Sequence, residues 1–459
     1  MYQLDFQHPI HIHMIGIGGI SMSGLAHILL DAGFTLSGSD RQASELTATL
    51  EARGVRISYD QSQNCIAPEA KAVVYTAAIS ESNPEYAYAK AVGLPLLSRA
   101  QLLGQLMTNY RHALAIAGTH GKTTTTSMVA HILLEGDSDP TISVGGVLPA
   151  IGGNIRVGGT DTFLTEACEY TDSFLSFSPT HAVILNIEED HMDYFTDLAH
   201  IRRSFHAFME RVQPQGLIVL NADIADIPAL TSGIAASVIT FGASEAATYR
   251  YQNLSFDEQG LPHFEVWTEG RLLGRLQLQV PGEYNVANAM AALALTHRLG
   301  YSFELIARGL LAFGGTNRRF ERKGDFHGVT VIDDYAHHPT EIRAALAAAK
   351  AIAHQRLIVV FQSHTYSRTK AFLDEFAEAL TAADLVLLPD IYAAREQDTL
   401  GVSSADICQR LQALGTEAYY LPGFDEVIAF LKKNCINGDM LITMGAGDVV
   451  NIGERLLNE

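Results

Sequence analysis

The chain has 459 residues, of which 47% are apolar and 18% are charged, and its formal net charge is −20. This profile predicts a globular protein of about three domains and argues against disorder. The acidic balance disfavours nucleic acid and anionic membranes as partners, so an anionic substrate needs local positive groups. The four cysteines lie far apart and predict free thiols. A polar start and the lack of a long apolar run predict a cytoplasmic protein without membrane insertion.

The first predicted element is a βαβ unit with a glycine-rich turn. The strand His11 to Ile15 leads into the turn GIGGISMSG, a helix from about Ser21 to Ala32 follows, and a second strand ends at Asp40. Glycines at a helix start with an acidic residue about 20 positions later are typical of a dinucleotide fold. The alternative is that these glycines only pack helix against strand.

A second βα series begins near Thr108 with an apolar strand and the loop GTHGKTT at 118–124. Gly118 and Gly121 allow backbone N–H groups to surround an anion, and Lys122 adds a point charge. Thr123 or Thr124 offers a hydroxyl to Mg²⁺, although Ile116 stands where the full eight-residue pattern has its first glycine. A strand before and a helix after the loop predict a nucleoside triphosphate site.

Acidic groups follow two further strands of this series. Glu166 comes at the end of one strand, and the segment Ile187 to Asp193, which contains His191, follows the next. Carboxyl ends of parallel strands present ligands, and Mg²⁺ prefers oxygen donors, so these positions predict a magnesium site. The strand-rich stretch from Leu217 to Gly282 is predicted to be scaffold.

Two asparagines, Asn285 and Asn288, lie three positions apart on one face of a predicted helix. They suit nucleotide recognition and helix capping equally well. A polar connection from Gly314 to Glu321 then precedes a third series of strands, predicted at Val329 to Ile332, Leu357 to Phe361, Leu385 to Leu388 and Met440 to Met444. Each of these four strands is followed by a polar loop, which is how a doubly wound sheet presents a site.

Seven segments together resemble the Mur ligase family over essentially the whole chain. They are GIGGISMSG (16–24), GTHGKTT (118–124), NIEEDHMD (186–193), PGEYNVANA (281–289), NRRFE (317–321), DDYAHHPTEI (333–342) and FQSHTYSRT (361–369). The resemblance implies an α/β fold of three domains: a Rossmann-like UDP-sugar domain (1–108), a central P-loop ATPase-like domain with a mostly parallel sheet (109–317), and a Rossmann-like amino-acid domain (318–459).

The resemblance also implies the reaction, and it is strongest to the branch that adds L-alanine. ATP would phosphorylate the lactyl carboxylate of UDP-N-acetylmuramate, and the amine of L-alanine would attack the acyl phosphate, in peptidoglycan precursor synthesis. Joining a carboxylate to an amine in water is uphill, so activation by ATP and exclusion of water by closing domains are physically sensible.

The resemblance assigns site residues by position in the motifs. UDP-sugar binding falls to Gly16, Gly18, Gly19, Ser21, Ser23 and Asp40. ATP binding falls to Gly118, Thr119, His120, Gly121, Lys122, Thr123, Thr124, Asn285, Asn288, Arg319 and Asp334. Mg²⁺ falls to Thr123, Glu166 and His191, and amino-acid binding to His364 and Arg368. The catalytic set is Lys122, Arg319, His338, Glu166 and His191.

Some positions depart from the family pattern. Cys168 lies in a segment that is often EADESD, Tyr284 stands where histidine is common, and Thr365 replaces an arginine of some members. Residues 194–216 contain no lysine, so the carbamylated lysine of related ligases has no counterpart there.

Three alternatives remain open at this point. A sister ligase attaches a preformed tripeptide to the same UDP-sugar. An NAD-dependent oxidoreductase would use the first glycine turn but leaves the phosphate loop unexplained. A non-catalytic nucleotide switch would leave Glu166, His191 and Arg319 without a role.

Overall fold

The computed structural model describes residues 2–60, 62–76, 78–394 and 396–458. The chain divides into two compact units, one comprising Met1–Ile187 and Ile201–Ile239, the other Glu188–His200 and Thr240–Glu459. All four cysteines are free thiols. None of the helices in the described ranges is both long and apolar enough to cross a membrane.

The first unit starts with a parallel five-stranded sheet in the order β3-β2-β1-β4-β5. Its strands are β1 (His11–Ile15), β2 (Thr35–Ser39), β3 (Arg56–Ser58), β4 (Ala72–Tyr75) and β5 (Leu96–Ser98). Its helices are α1 (Ile20–Asp31), α2 (Glu45–Ala52), α3 (Pro84–Ala91) and α4 (Arg99–Met107), with a 3-10 turn at Gln63–Cys65. The predicted Rossmann-like sheet is confirmed, and α1 begins and ends one residue earlier than expected.

The second sheet of this unit follows the order β8-β7-β9-β6-β10-β11 and is parallel except for the β7–β8 hairpin. Its strands are β6 (His112–Ala117), β7 (Thr141–Leu148), β8 (Gly153–Arg156), β9 (Thr162–Ala167), β10 (His181–Ile184) and β11 (Leu217–Asn221). The helices are α5 (Lys122–Glu135), α6 (Leu198–Met209) and α7 (Ile227–Leu230), with 3-10 helices at Pro149–Ile151 and Tyr170–Ser176. The first three residues of α6 belong to the second unit.

The second unit contains the end of β12 (Ser237–Gly242) and the strands β13 (Tyr249–Phe256), β14 (Pro262–Thr268) and β15 (Arg271–Gln277). β12 pairs parallel with β13, and β13, β14 and β15 form an antiparallel meander. The helices α8 (Glu283–Arg298) and α9 (Phe303–Ala312) follow. The predicted strand-rich scaffold is therefore present.

The last sheet has the order β16-β17-β21-β18-β19-β20, and only its edge strand β16 is antiparallel among the described strands. Its strands are β16 (Glu321–Phe326), β17 (Val329–Asp334), β18 (Leu357–Phe361), β19 (Leu385–Leu388), β20 (Glu417–Tyr420) and β21 (Met440–Met444). Its helices are α10 (Pro339–Lys350), α11 (Tyr366–Ala371), α12 (Leu373–Leu380), α13 (Ser404–Ala413), α14 (Phe424–Asn434) and α15 (Val450–Leu457).

Burial explains why β18 is apolar at all five positions. Val359 and Phe361 pack in one cluster with α10, α12 and α13, whereas Ile358 and Val360 pack on the opposite face with α14 and α15. A parallel strand covered on both faces has no polar side, so its sequence shows no alternation. The sheet thus presents its polar loops only at the strand ends, where the candidate site residues lie.

Candidate active site

The phosphate loop connects β6 to α5 in the first unit. Gly118 and Gly121 have φ of +147° and +82°, conformations that side chains with a Cβ rarely adopt. A Cβ on Gly118 would lie 2.8 Å from Cβ of Leu185, so the loop also needs glycine for space. Gly121 is the N-cap of α5 and has no side chain to satisfy the first N–H groups of that helix. The loop therefore leaves a helix start suited to phosphate oxygens, as the sequence predicts.

Lys122 is held at the base of this loop by Glu169, a residue that the sequence did not single out. Its Nζ donates to the two carboxylate oxygens of Glu169 at 2.8 and 3.1 Å, and to the carbonyls of Gly118 and Thr119. Burial alone would lower the pKa of Lys122, but the Glu169 carboxylate reverses this and raises it above its usual range. Lys122 is therefore a permanently charged group.

Asn186 braces the other side of the loop. Its side-chain oxygen accepts a hydrogen bond from the His120 N–H at 2.7 Å, and its side-chain amide donates to the His120 carbonyl at 3.2 Å. The Thr119 N–H also donates to the Asn186 carbonyl. Asn186 lies within a motif that the sequence singled out, but only the fold shows that it holds the backbone of the loop.

Glu166 and Thr123 supply hard oxygen atoms near this loop. Glu166 is the penultimate residue of β9, and its Oε1 accepts a hydrogen bond from Gly145 N–H at 2.5 Å. Thr123 is half-buried, whereas Thr124 is only 8% exposed, so the structure favours Thr123 of the two predicted hydroxyls. A carboxylate and a hydroxyl are donors that fit Mg²⁺, which fills its remaining positions with phosphate oxygens and water.

The glycine turn after β1 is closed by Asp40. Its carboxylate accepts from Gly18 N–H at 2.8 Å, and Gly16 has φ of +77°. Asp40 therefore shapes the turn, a role that its predicted assignment to UDP-sugar binding did not include. Gly19 is exposed at the start of α1, whereas Ser23 is buried and donates to the Ile20 carbonyl, facing its own helix.

In the second unit, the amides of the two asparagines on α8 bond locally. Asn285 donates to the Pro281 carbonyl at 2.7 Å, and Asn288 donates to the Asn285 side-chain oxygen at 3.2 Å. Both are buried. The Asn285 side chain thus ties α8 to the residue before its N-cap, Gly282, although no side chain caps the helix itself. Nucleotide recognition by the two asparagines stays a prediction.

The turn before β16 presents two adjacent arginines in different roles. Arg318 donates to Asp333 at 2.9 Å and to the carbonyls of Gly445 and Gly447, so its guanidinium is committed to the fold. Arg319 lies over the ring of Tyr335 with its guanidinium carbon 5.0 Å from the ring centroid, and its nearest carboxylate oxygen, on Glu341, is 3.9 Å away. Arg319 is the more available cation, in agreement with its predicted role.

Asp334 holds this turn in place. Asp333 and Asp334, expected in a loop, are the last two residues of β17, because the strand runs two residues longer than predicted. The carboxylate of Asp334 accepts from Phe320 N–H and Ala336 N–H, both at 2.7 Å. Burial raises the pKa of Asp334 to about 6, against the opposing charge of Arg319.

The remaining predicted residues of the second unit lie around Arg368. Its Nη2 donates to Asp190 at 2.7 Å, and its Nη1 lies 3.4 Å from His364, whose ring stacks on Tyr392. His191 follows Asp190 with φ of +54°, and its Nε2 lies 3.8 Å from Asp190 Oδ2. His338 is the N-cap of α10 and accepts from Thr340 N–H. The structure thus joins Arg368, His364 and the Asp190–His191 segment.

Three family models match the chain in succession. They are the Mur ligase family, catalytic domain (residues 11–111), the Mur ligase middle domain (116–296) and the Mur ligase, glutamate ligase domain (318–447). The chain belongs to the Mur ligase family. The three-domain α/β fold of these ligases, with mostly parallel sheets, is therefore confirmed.

Individual Mur ligases match over the full length. A UDP-N-acetylmuramate–L-alanine ligase of Agathobacter rectalis is 54% identical, with 100% of each chain covered. Among solved structures, the UDP-N-acetylmuramate-alanine ligase MurC of Thermotoga maritima has 30% identity and a TM-score of 0.80, covering 98% of both chains. A murein peptide ligase of Psychrobacter arcticus has 27% identity and a TM-score of 0.70, also covering 98% of both chains.

Proposed function

We propose that this Mur ligase joins L-alanine to the lactyl carboxylate of UDP-N-acetylmuramate with ATP, giving ADP and phosphate in peptidoglycan precursor synthesis. The observation that carries the proposal is the full-length identity of 54% to a ligase of that name. The structural match to a MurC protein is also closer than the match to a murein peptide ligase. The oxidoreductase and the non-catalytic switch lose their support.

The reaction proceeds in two steps. A carboxylate oxygen attacks the γ-phosphorus of ATP, an O–P bond forms, and the bond to ADP breaks. The amine of L-alanine then attacks the acyl carbon, phosphate leaves, and the amine loses a proton. Most of the protein's contribution is to position groups and to neutralise the phosphoryl charge.

Residues of the first unit take the nucleotide roles in this proposal. The backbone amides of residues 118–124 and the charged Lys122 receive the ATP phosphates, supported by the open helix start and by the brace of Asn186. The glycine turn receives the UDP-sugar diphosphate. Mg²⁺ would be held by Thr123 and Glu166, and when bound it would neutralise phosphate charge. His191, in the second unit, is a further proposed metal ligand that rests on the family resemblance alone.

Residues of the second unit take the roles near the transferring group and the amino acid. Arg319 faces the transferring phosphoryl group, supported by its weak internal pairing. ATP binding involves the backbone that is held in place by Asn285, Asn288 and Asp334. His338 faces ATP and L-alanine. Arg368 and His364 bind the carboxylate of L-alanine.

We place the domain boundaries near Thr108, shortly before the first matched family range ends at 111, and near Asn317, directly before the third range begins at 318. The enzyme works in the cytoplasm, where ATP and UDP-sugars are available.

The deciding experiment measures phosphate release from ATP and Mg²⁺ with UDP-N-acetylmuramate, comparing L-alanine with the tripeptide L-Ala-γ-D-Glu-meso-diaminopimelate. Release with L-alanine and formation of the alanyl product support the proposal. Release with the tripeptide alone would reassign the chain to the sister activity. A reaction without UDP-N-acetylmuramate controls for background hydrolysis of ATP.

A further inference from the structure

Arg99 is the first residue of α4, and its side chain reaches the glycine turn. Its Nη1 donates a hydrogen bond to Ser21 Oγ at 3.1 Å, although the two residues are 78 positions apart. Ser98 and Gln101 form a capping box that satisfies the start of α4. The guanidinium of Arg99 is therefore not needed to complete its own helix.

The Arg99 guanidinium interacts electrostatically with residues at the end of β9. Burial lowers the pKa of Arg99, and the neighbouring Cys168 and Glu166 partly oppose this. Burial raises the pKa of the Cys168 thiol, so that thiol is neutral and supplies no counter-charge. Lys122 also interacts electrostatically with Glu166 and Cys168, so the two cations share these neighbours.

Within the described ranges, no carboxylate lies at ion-pair distance from Arg99, and its guanidinium bonds to Ser21 Oγ. A half-buried cation loses hydration and gains little in return unless an anion pairs with it. The geometry is therefore suited to an anion that arrives with a substrate.

The position of Arg99 is fixed by the packing of α4. A Cβ on Gly104 would lie 1.9 Å from the carbonyl oxygen of Ser176, so α4 packs directly against the 3-10 helix Tyr170–Ser176. That 3-10 helix begins immediately after Glu169, the partner of Lys122. α4 is thus fixed against the segment that follows Glu169, and Arg99 at the start of α4 reaches the glycine turn.

We propose that Arg99 binds the lactyl carboxylate of UDP-N-acetylmuramate and holds it for attack on ATP, an inference that rests on the function proposed above. The sugar nucleotide carries its negative charge on the diphosphate and on this carboxylate. The diphosphate binds the backbone amides of the glycine turn. The carboxylate has to reach the phosphate loop, because it attacks the ATP that binds there. One carboxylate oxygen pairs with Arg99 while the other forms the new bond to phosphorus and ADP leaves.

The test compares two ligands that differ in the lactyl group. UDP-N-acetylglucosamine carries the same uridine and diphosphate as UDP-N-acetylmuramate but no carboxylate. We would measure the binding of both ligands to wild type and to Arg99→Ala by calorimetry, without ATP. The comparison separates the contribution of the diphosphate to binding from that of the carboxylate. We expect UDP-N-acetylmuramate to bind about 30-fold more weakly to the variant, as for a lost charged pair. UDP-N-acetylglucosamine should change less than about twofold on the same scale.

Steady-state kinetics provide the second readout. In Arg99→Ala the KM for UDP-N-acetylmuramate should rise while the KM for L-alanine stays within about twofold, and guanidinium ions added to the assay should restore part of the activity. Arg99→Lys keeps a positive charge on a similar aliphatic stem. It should bind UDP-N-acetylmuramate more tightly than Arg99→Ala but more weakly than wild type. If Arg99→Ala does not fold, the comparison of Arg99→Lys with wild type replaces it. Arg111→Ala, an exposed arginine just before β6, is the matched control.

Three results would overturn the assignment. Equal weakening of both ligands would assign Arg99 to the diphosphate, and unchanged binding of both would remove it from the site. Wild-type affinity in Arg99→Lys together with no loss in Arg99→Ala would show that the charge is not used. Failure of the proposed function is distinct, because the wild-type enzyme would then form no alanyl product.

Discussion

Arg368 and Asp190 form an ion pair in which Nη2 lies 2.7 Å from Oδ1, with both side chains nearly buried at 11% and 6% exposure. Burial on its own would raise the pKa of Asp190, but Arg368, aided by His191 and His337, holds that pKa well below its usual range. The arginine expected to bind the carboxylate of L-alanine is thus already paired with a carboxylate of the protein. The substrate has to compete with Asp190 or share the guanidinium with it.

Replacing Arg368 by alanine is expected to raise the KM for L-alanine about 10-fold or more, with little change in the KM for UDP-N-acetylmuramate. The same change leaves Asp190 buried without its partner, which costs about 3–5 kcal/mol of folding free energy. Initial rates at varied L-alanine and a thermal melt check both effects. Arg343→Ala, an exposed arginine on α10, is the control. An unaltered KM for L-alanine would move the carboxylate site elsewhere.

Lys122→Met is expected to abolish turnover, because the charge that neutralises the ATP phosphates is lost. It should also destabilise the fold by about 3–5 kcal/mol, since the buried Glu169 carboxylate loses its ion pair with Lys122. The double variant Lys122→Met/Glu169→Gln removes both charges and should regain much of the stability without regaining activity. Phosphate release and melting temperature separate the two effects. Turnover in either variant would remove Lys122 from the phosphate site.

The carboxyl of Asp334 is expected to produce an acidic limb near pH 6 in the activity of the enzyme, because burial raises its pKa to about 6. Protonation below that value weakens acceptance from Phe320 N–H and loosens the turn that carries Arg319. A raised pKa favours the protonated folded state, so this group lowers stability as pH rises from about 4 through 6. Asp334→Asn should lower kcat and flatten the dependence of both activity and folding stability on pH. If the acidic limb of the activity profile persists in this variant, that limb belongs to another group.

Gly104→Ala is expected to destabilise the protein, although alanine normally favours a helix over glycine by about 1 kcal/mol. Its Cβ would meet the backbone of Ser176, which cannot move aside as a flexible side chain can. We expect a loss of about 1–3 kcal/mol, as for overpacking of a core. Chemical denaturation measures it, with Gly423→Ala, where nothing lies within 4 Å of the new Cβ, as the control. Equal stabilities would show that α4 can shift.

The sequence was sufficient for features that depend on neighbouring positions along the chain. Gly118, Gly121 and Lys122 form one local motif, and the apolar strands and their polar ends follow from hydrophobic pattern. The three-domain fold and the family followed from seven such motifs in order. Boundaries of elements shifted by one or two residues, as at α1 and β17.

Partners that come from distant parts of the chain could not be predicted in this way. Glu169 was not singled out from the sequence, because its bond to Lys122 depends on the register of β9 beside β6. Nothing local distinguishes Arg318, committed to Asp333, from Arg319 next to it. Asp334 is predicted to face ATP, whereas its visible contacts are to backbone N–H groups.

The pair of Lys122 and Glu169 also bears on which anions the loop accepts. An anion that binds there has to offer the lysine more than the carboxylate already does. Orthophosphate would only replace one carboxylate beside the lysine, whereas the triphosphate of ATP, in the function proposed above, would also bind the loop amides and the metal. We therefore expect the internal carboxylate to favour ATP over orthophosphate at this loop.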